Sequence, residues 1–243
     1  MRVTKTQRPL TRTILGLAPL TLLAMLVAAP WSTAAQETTP TPGVLASPPA
    51  TVDCGTSPNT APAGVATTFT IVSEDSEAAY HAEEELAGKG ANTAIGKTNA
   101  IIGNVYFGKD DMPLACSRFD VDLRTLKSDE ARRDNFLYNN TLQTQQFPLA
   151  TFILTSVDGL DKPLADGEKT TFTLIGNLTV HGVTKLVAWD ATVTADGDTL
   201  KGTASTTFEM PDFNIAPPKV GPVISLDETV KLVVDISAKR ASS

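Results

Sequence analysis

From Thr67 onward the chain alternates apolar and polar residues with a period of two, in segment after segment. Ile101, Gly103, Val105 and Phe107 share one face, with Ile102, Asn104 and Tyr106 on the other; Phe119, Val121 and Leu123 oppose Asp120, Asp122 and Arg124. Later segments repeat the pattern. Phe172, Leu174, Gly176, Leu178 and Val180 stand against Thr171, Thr173, Asn177 and Thr179, and Val230, Leu232, Val234 and Ile236 against Lys231, Asp235, Ser237 and Lys239. Successive side chains of a strand point to opposite faces, so this alternation marks strands with one dry and one wet face. Roughly eight or nine such strands, spaced as hairpins are, predict an all-β antiparallel sandwich or barrel.

Between Val180 and the next dry face (Val187, Trp189, Ala191, Val193) lies His181-Gly182. Two residues ending in glycine are enough for a tight hairpin, because glycine takes a positive φ without steric cost. The expectation is a turn with His181 at its exposed tip. One segment breaks the strand rhythm. Ser128 to Leu137 opens on a capping serine followed by Asp129 and Glu130, where the helix dipole favours acids. It predicts a short helix across one end of the sheet, with Phe136 and Leu137 turned inward and Arg132-Arg133-Asp134 as solvated pairs.

The N-terminal part is of another kind. Arg2, Lys5, Arg8 and Arg12 precede the apolar run Ile14 to Ala29, and small residues surround Ala34 and Ala35. Basic flank, short apolar core and small residues read as an export signal over 1–35, since a membrane span takes about 20 apolar residues. Loss of those four positive charges takes the formal net charge from −7 to −11. So acidic a surface repels phosphate backbones and anionic headgroups, which argues against nucleic acid as a partner and against electrostatic docking on membranes. Residues 36–66 carry Pro40, Pro42, Pro48, Pro49, Pro58 and Pro62 among Thr, Ser and Ala, and are expected to form a flexible tether to a barrel over 67–240. Cys54 and Cys116 are the only cysteines. In an oxidising compartment a bridge between them is favoured over free or intermolecular thiols.

Chemistry-bearing constellations are sparse. Nucleophilic hydrolysis would need a histidine with an oriented acid, and neither His81 nor His181 has one at a useful spacing. Glu83-Glu84-Glu85 alternates faces on a strand with no histidine or cysteine to complete a metal set, and reads as an acidic rim. No catalytic residue, metal or cofactor is assigned. The inside of the barrel says more: Gly103, Gly176, Ala191, Gly202 and Ala204 lie on dry faces among large apolar residues. They either leave room for a ligand or bend the strands, and a barrel of about eight strands can be packed or hold one small ligand.

Several motifs together resemble the YceI-like, or polyisoprenoid-binding, family. They are Ser117 to Leu123, Arg133-Asp134-Asn135-Phe136-Leu137 with Phe147 to Phe152, and Gly176 to Lys185, within a likeness covering most of Phe69 to Ala238. The resemblance implies an elongated, lipocalin-like antiparallel barrel with one short helix near one end, enclosing a long apolar chain in an exported protein. Two stretches depart from the family: Phe69 to Ser76, and Glu209-Met210-Pro211-Asp212-Phe213-Asn214-Ile215, where an arginine usually precedes Asp-Phe-Gly. Headgroup contacts are therefore not carried over. The expected channel lining is Tyr80, Phe107, Phe119, Val121, Leu123, Phe136, Leu137, Phe152, Leu154, Phe172, Leu174, Gly176, Leu178, Trp189 and Phe208. The expected partner is an isoprenoid or fatty-acyl lipid, held by a secreted or periplasmic protein without a membrane span once the signal is removed; a homodimer stays open. Two other readings are an enzyme on a small apolar substrate, with Tyr80 as acid or base, and a packed scaffold without a cavity.

Overall fold

The computed structural model describes residues 41–54, 61–218 and 223–242. The export signal expected over 1–35 lies outside the described residues. The strands are β1 (Gly43–Val44), β2 (Thr67–Ile71), β3 (Glu77–Leu86), β4 (Gly90–Thr98), β5 (Ile101–Phe107), β6 (Arg118–Asp122), β7 (Leu149–Asp158), β8 (Lys169–Val180), β9 (Val183–Asp196), β10 (Thr199–Glu209) and β11 (Val223–Arg240); the helix α1 is Ala131–Phe136.

All the strand pairs are antiparallel, and β9, β8, β7, β6, β5, β2, β11 and β10 close into a ring, as β10 pairs with both β11 and β9. This is the closed eight-stranded barrel that the periodicity and the resemblance predict. Two of its staves are double. β2 and β3 lie end to end along β11, with Ile71 opposite Ala238 and Glu77 opposite Asp235, and β5 and β4 lie alongside them. Ser76 holds the break: its hydroxyl donates to the Val72 carbonyl and accepts from the Ser237 amide, fully buried. The β3–β4 hairpin thereby extends the wall beyond β6 on one side, and α1 lies at that end.

Burial follows the alternation. Phe172, Gly176, Leu178 and Val180 are buried on β8, as are Val187, Trp189 and Ala191 on β9. The β8–β9 link is the expected two-residue hairpin, with His181 at φ 49° and Gly182 at φ 74°, the pair of positive angles that a type I′ turn requires. His181 is not at an exposed tip. Its ring meets Phe147 edge-on at 4.7 Å, and its Nδ1 donates to the Phe213 carbonyl at 3.2 Å.

Two elements differ from expectation. The first is the helix, whose N-cap is Glu130, its carboxylate accepting from the Arg132 amide; Ser128 instead donates its hydroxyl to Asp134. The helix is six residues long and relaxes into a wider turn in which the Leu142 amide reaches back to Leu137. The second is the expected tether, whose described part is docked. After Ser205, opposite Asp190, β10 leaves β9, and β1 takes its place with Gly43 opposite Ala188 and Val44 opposite Val187. The Leu45 amide donates to Leu186, Ala50 and the Asn177 side chain exchange a pair of hydrogen bonds, and Cys54 is bonded to Cys116. Backbone groups orphaned by the departing strand, together with one covalent bond, order a segment too poor in apolar residues to order itself.

Candidate functional site

The barrel interior has three levels. At the end nearest the Gly167 and Gly197 turns is a small apolar void of about 110 Å³, lined by Phe107, Phe119, Phe152, Leu154, Phe172 and Leu174 among others. Below it the strands are packed shut. Phe119, Phe152 and Trp189 form a ring cluster with centroids 5.3 to 6.2 Å apart, beside Val121, Gly176, Leu178 and Val187, and neither cavity reaches these last four or Trp189. At the helix end is a cavity of about 660 Å³. Of the residues expected to line a channel, Tyr80, Leu123, Phe136, Leu137 and Phe208 face this cavity.

Gly176 therefore does not make room for a ligand. A Cβ there would lie 2.4 Å from the Ile153 carbonyl oxygen and 2.5 Å from the Phe152 ring; the glycine lets that ring and strand come close. The small residues that do open space are Ala82 and Ala94, directly paired across β3 and β4, both buried and both on the wall of the large cavity. Around them Leu126, Leu142, Met210, Val230 and Leu232 complete an apolar belly. The alternation that turns Ala78, Tyr80 and Ala82 inward carries forward to Glu84, so the signal for this wall was present in the sequence.

One end of the cavity is polar. Glu84, expected on an acidic rim, points inward with its side chain only 4% exposed; Oε1 accepts from Asn92 Nδ2 at 2.7 Å and from Arg133 Nη2 at 2.9 Å. Arg133, three and four residues before Phe136 and Leu137, shares their face of the helix, and its other terminal nitrogen donates to Asp129 at 2.6 Å. These charges are thus not merely solvated pairs. Lys89, Asp129, Glu130 and Arg132 complete the mouth, equal in positive and negative groups with Glu84 and Arg133 included. Tyr80 lies over Gly96, where a Cβ would stand 2.2 Å from its ring, and its buried hydroxyl has no hydrogen-bond partner among the described residues. Burial pushes this phenol up to about 12, against a smaller pull from Arg133. It keeps its proton far above neutrality and is therefore a hydrogen-bond donor facing the cavity. The arrangement can enclose an apolar chain and meet a polar head, and its volume lies within the range of about 300–1,000 Å³ usual for ligand pockets.

A model of the YceI-like domain matches residues 69–238. The chain belongs to the YceI-like family. Among its relatives in that family, a UPF0312 protein of Pseudomonas putida is 33% identical over 135 residues, 51% of this chain and 67% of that protein. A UPF0312 protein of Yersinia enterocolitica is 30% identical over 161 residues, 63% and 77% of the two chains. Two solved structures share the YceI-like barrel. BcnA of Burkholderia cenocepacia superposes with a TM-score of 0.55 at 14% identity, covering 70% of this chain and 99% of its own. A polyisoprenoid-binding domain from Saccharophagus degradans gives 0.54 at 12% identity, covering 71% and 98%. Among the described residues no helix is long and apolar enough to cross a membrane.

Proposed function

We propose that the protein is an exported, non-enzymatic carrier that encloses one long apolar chain, isoprenoid or fatty-acyl, for transport, storage or protection. The observation that carries this reading is the cavity under α1, apolar in its belly and polar at its mouth. A structural relative named for polyisoprenoid binding supports it, as do the export-type N-terminus and the acidic composition. Each buried methylene contributes about 0.8 kcal/mol, so a tail of about a dozen carbons gives firm binding even after ordering costs.

The test is mass spectrometry of solvent extracts of purified protein, in parallel for three proteins. Wild type is expected to carry a prenyl or acyl chain. Ala82→Phe, which fills the cavity from its wall, keeps the fold and loses most of that load. Gly176→Leu, which collides with the Ile153 carbonyl and Phe152, loses stability by several kcal/mol without selective loss of cargo per folded chain. A folded wild-type protein that neither carries nor takes up any such chain refutes the proposal.

A further inference from the structure

The barrel interior closes and reopens along its axis, which bears on how long an enclosed chain can be; the inference rests on the carrier reading. On β6 the successive inward residues are Phe119, Val121 and Leu123: the first lines the small void, the last lines the large cavity, and Val121 lines neither. On β10, Ala204 and Phe208 stand in the same relation with Thr206 between them, and on β11 the consecutive inward residues Val234 and Leu232 line the void and the cavity. Along these strands the floor of the large cavity is therefore no more than one side chain deep. It is thickest along β8 and β9, where Leu178 and Trp189 are both only 2% exposed and the Trp189 ring meets Phe152 edge-on at 5.7 Å. The void on the far side shows that the eight-stranded wall is wide enough for a lumen there, so side chains and not the girth of the barrel close it. Trp189 holds its place at a cost, since its buried indole N–H has no acceptor among the described residues. A phenylalanine there would avoid that cost; what the indole adds is bulk. A chain carbon takes about 30 Å³, the share of a water molecule in its liquid, so the cavity of about 660 Å³ has room for about twenty carbons.

We infer that Leu178 and Trp189 form a length stop, so that the protein takes chains of up to about twenty carbons and turns longer ones away. The experiment offers the purified full-length protein an equimolar mixture of dodecanol, hexadecanol, eicosanol, hexacosanol and triacontanol dissolved in phosphatidylcholine vesicles. A single head throughout leaves length as the variable, and the bilayer gives every chain the same apolar starting point. Protein is separated from the vesicles by gel filtration, and the bound alcohols are extracted and quantified by mass spectrometry against their amounts in the vesicles. Wild type is expected to load hexacosanol and triacontanol at least ten-fold less than hexadecanol, because about two methylenes left in water already cost about ten-fold in affinity. Leu178→Ala opens the floor toward the void, whose volume of about 110 Å³ alone adds room for about four carbons. Hexacosanol should then approach parity with hexadecanol while the loads of the shorter alcohols stay as they were. Trp189→Phe trims the floor less and removes the unpaired N–H, so it keeps the fold and raises hexacosanol several-fold. Equal loading of triacontanol and hexadecanol by wild type would overturn the proposal, and this ratio decides whether a stop exists even if a variant fails to fold. An unmoved limit in a folded variant would overturn it too. Loading of none of the alcohols by folded wild type would instead remove the carrier reading itself.

Discussion

At Gly182 a Cβ would meet Phe147 at 2.6 Å while the backbone holds φ at 74°, so two independent penalties fall on one position. A β-branched residue there is a steric outlier, and the hairpin joins the two strands that carry Leu178 and Trp189. Gly182→Val is expected to lower stability by about 3 kcal/mol or more in urea unfolding. His181→Asn, at φ 49°, keeps a residue tolerant of that angle and forfeits the ring contact with Phe147, a loss of about 1 kcal/mol. Tyr80 gives the residue scale a pH signature. Its phenol is neutral in both folded and unfolded chains below about 10; between there and about 12 only the unfolded chain ionises. The unfolded state then binds fewer protons, so stability is complete below the lower value and is lost as pH rises through the window. The loss amounts to about 2–3 kcal/mol. Burial raises Tyr138 as well, so Tyr80→Phe should flatten, not abolish, the alkaline fall in Tm.

Among the elements, the strap formed by residues 41–54 departs most from what composition suggests. Its bond from Cys54 to Cys116 closes a loop with a sequence separation of 62, which in the chain-entropy model contributes roughly 4 kcal/mol. Cys54→Ser should lower stability by an amount of that order in chemical unfolding; an unchanged midpoint would show that the strap is held by its backbone pairing alone. The strands and the β8–β9 hairpin were legible because alternation and a glycine-ended two-residue link are local signals. The strap was not, because its order comes from Ala188 and Val187, left without β10 as a neighbour far along the chain. The helix was half legible: its place and inward residues follow from spacing, but Ser128 and Glu130 compete for the cap, and Asp134 decides the matter by engaging Ser128.

For the whole molecule, alternation tells inside from outside and is silent about depth along the barrel axis. Gly176 and Ala82 are both small and both inward. One faces an aromatic ring from the next strand and the other faces open space, a difference set by register between strands and by where the helix sits. The expected lining consequently divides among a small void, a packed middle and the large cavity, and the polar head of that cavity was passed over because Glu84 sits in a run of three acids.

The double stave has a consequence for timing. β2 meets β11 only at Ala238 to Arg240, and the cavity wall itself is β3 laid along Val223 to Asp235. While the segment through Arg240 is still being made, the ring has no closing strand and the cavity no back wall. The room therefore exists only after the longest-range pairing in the fold has formed, and under the proposed carrier reading a chain is expected to enter the completed barrel.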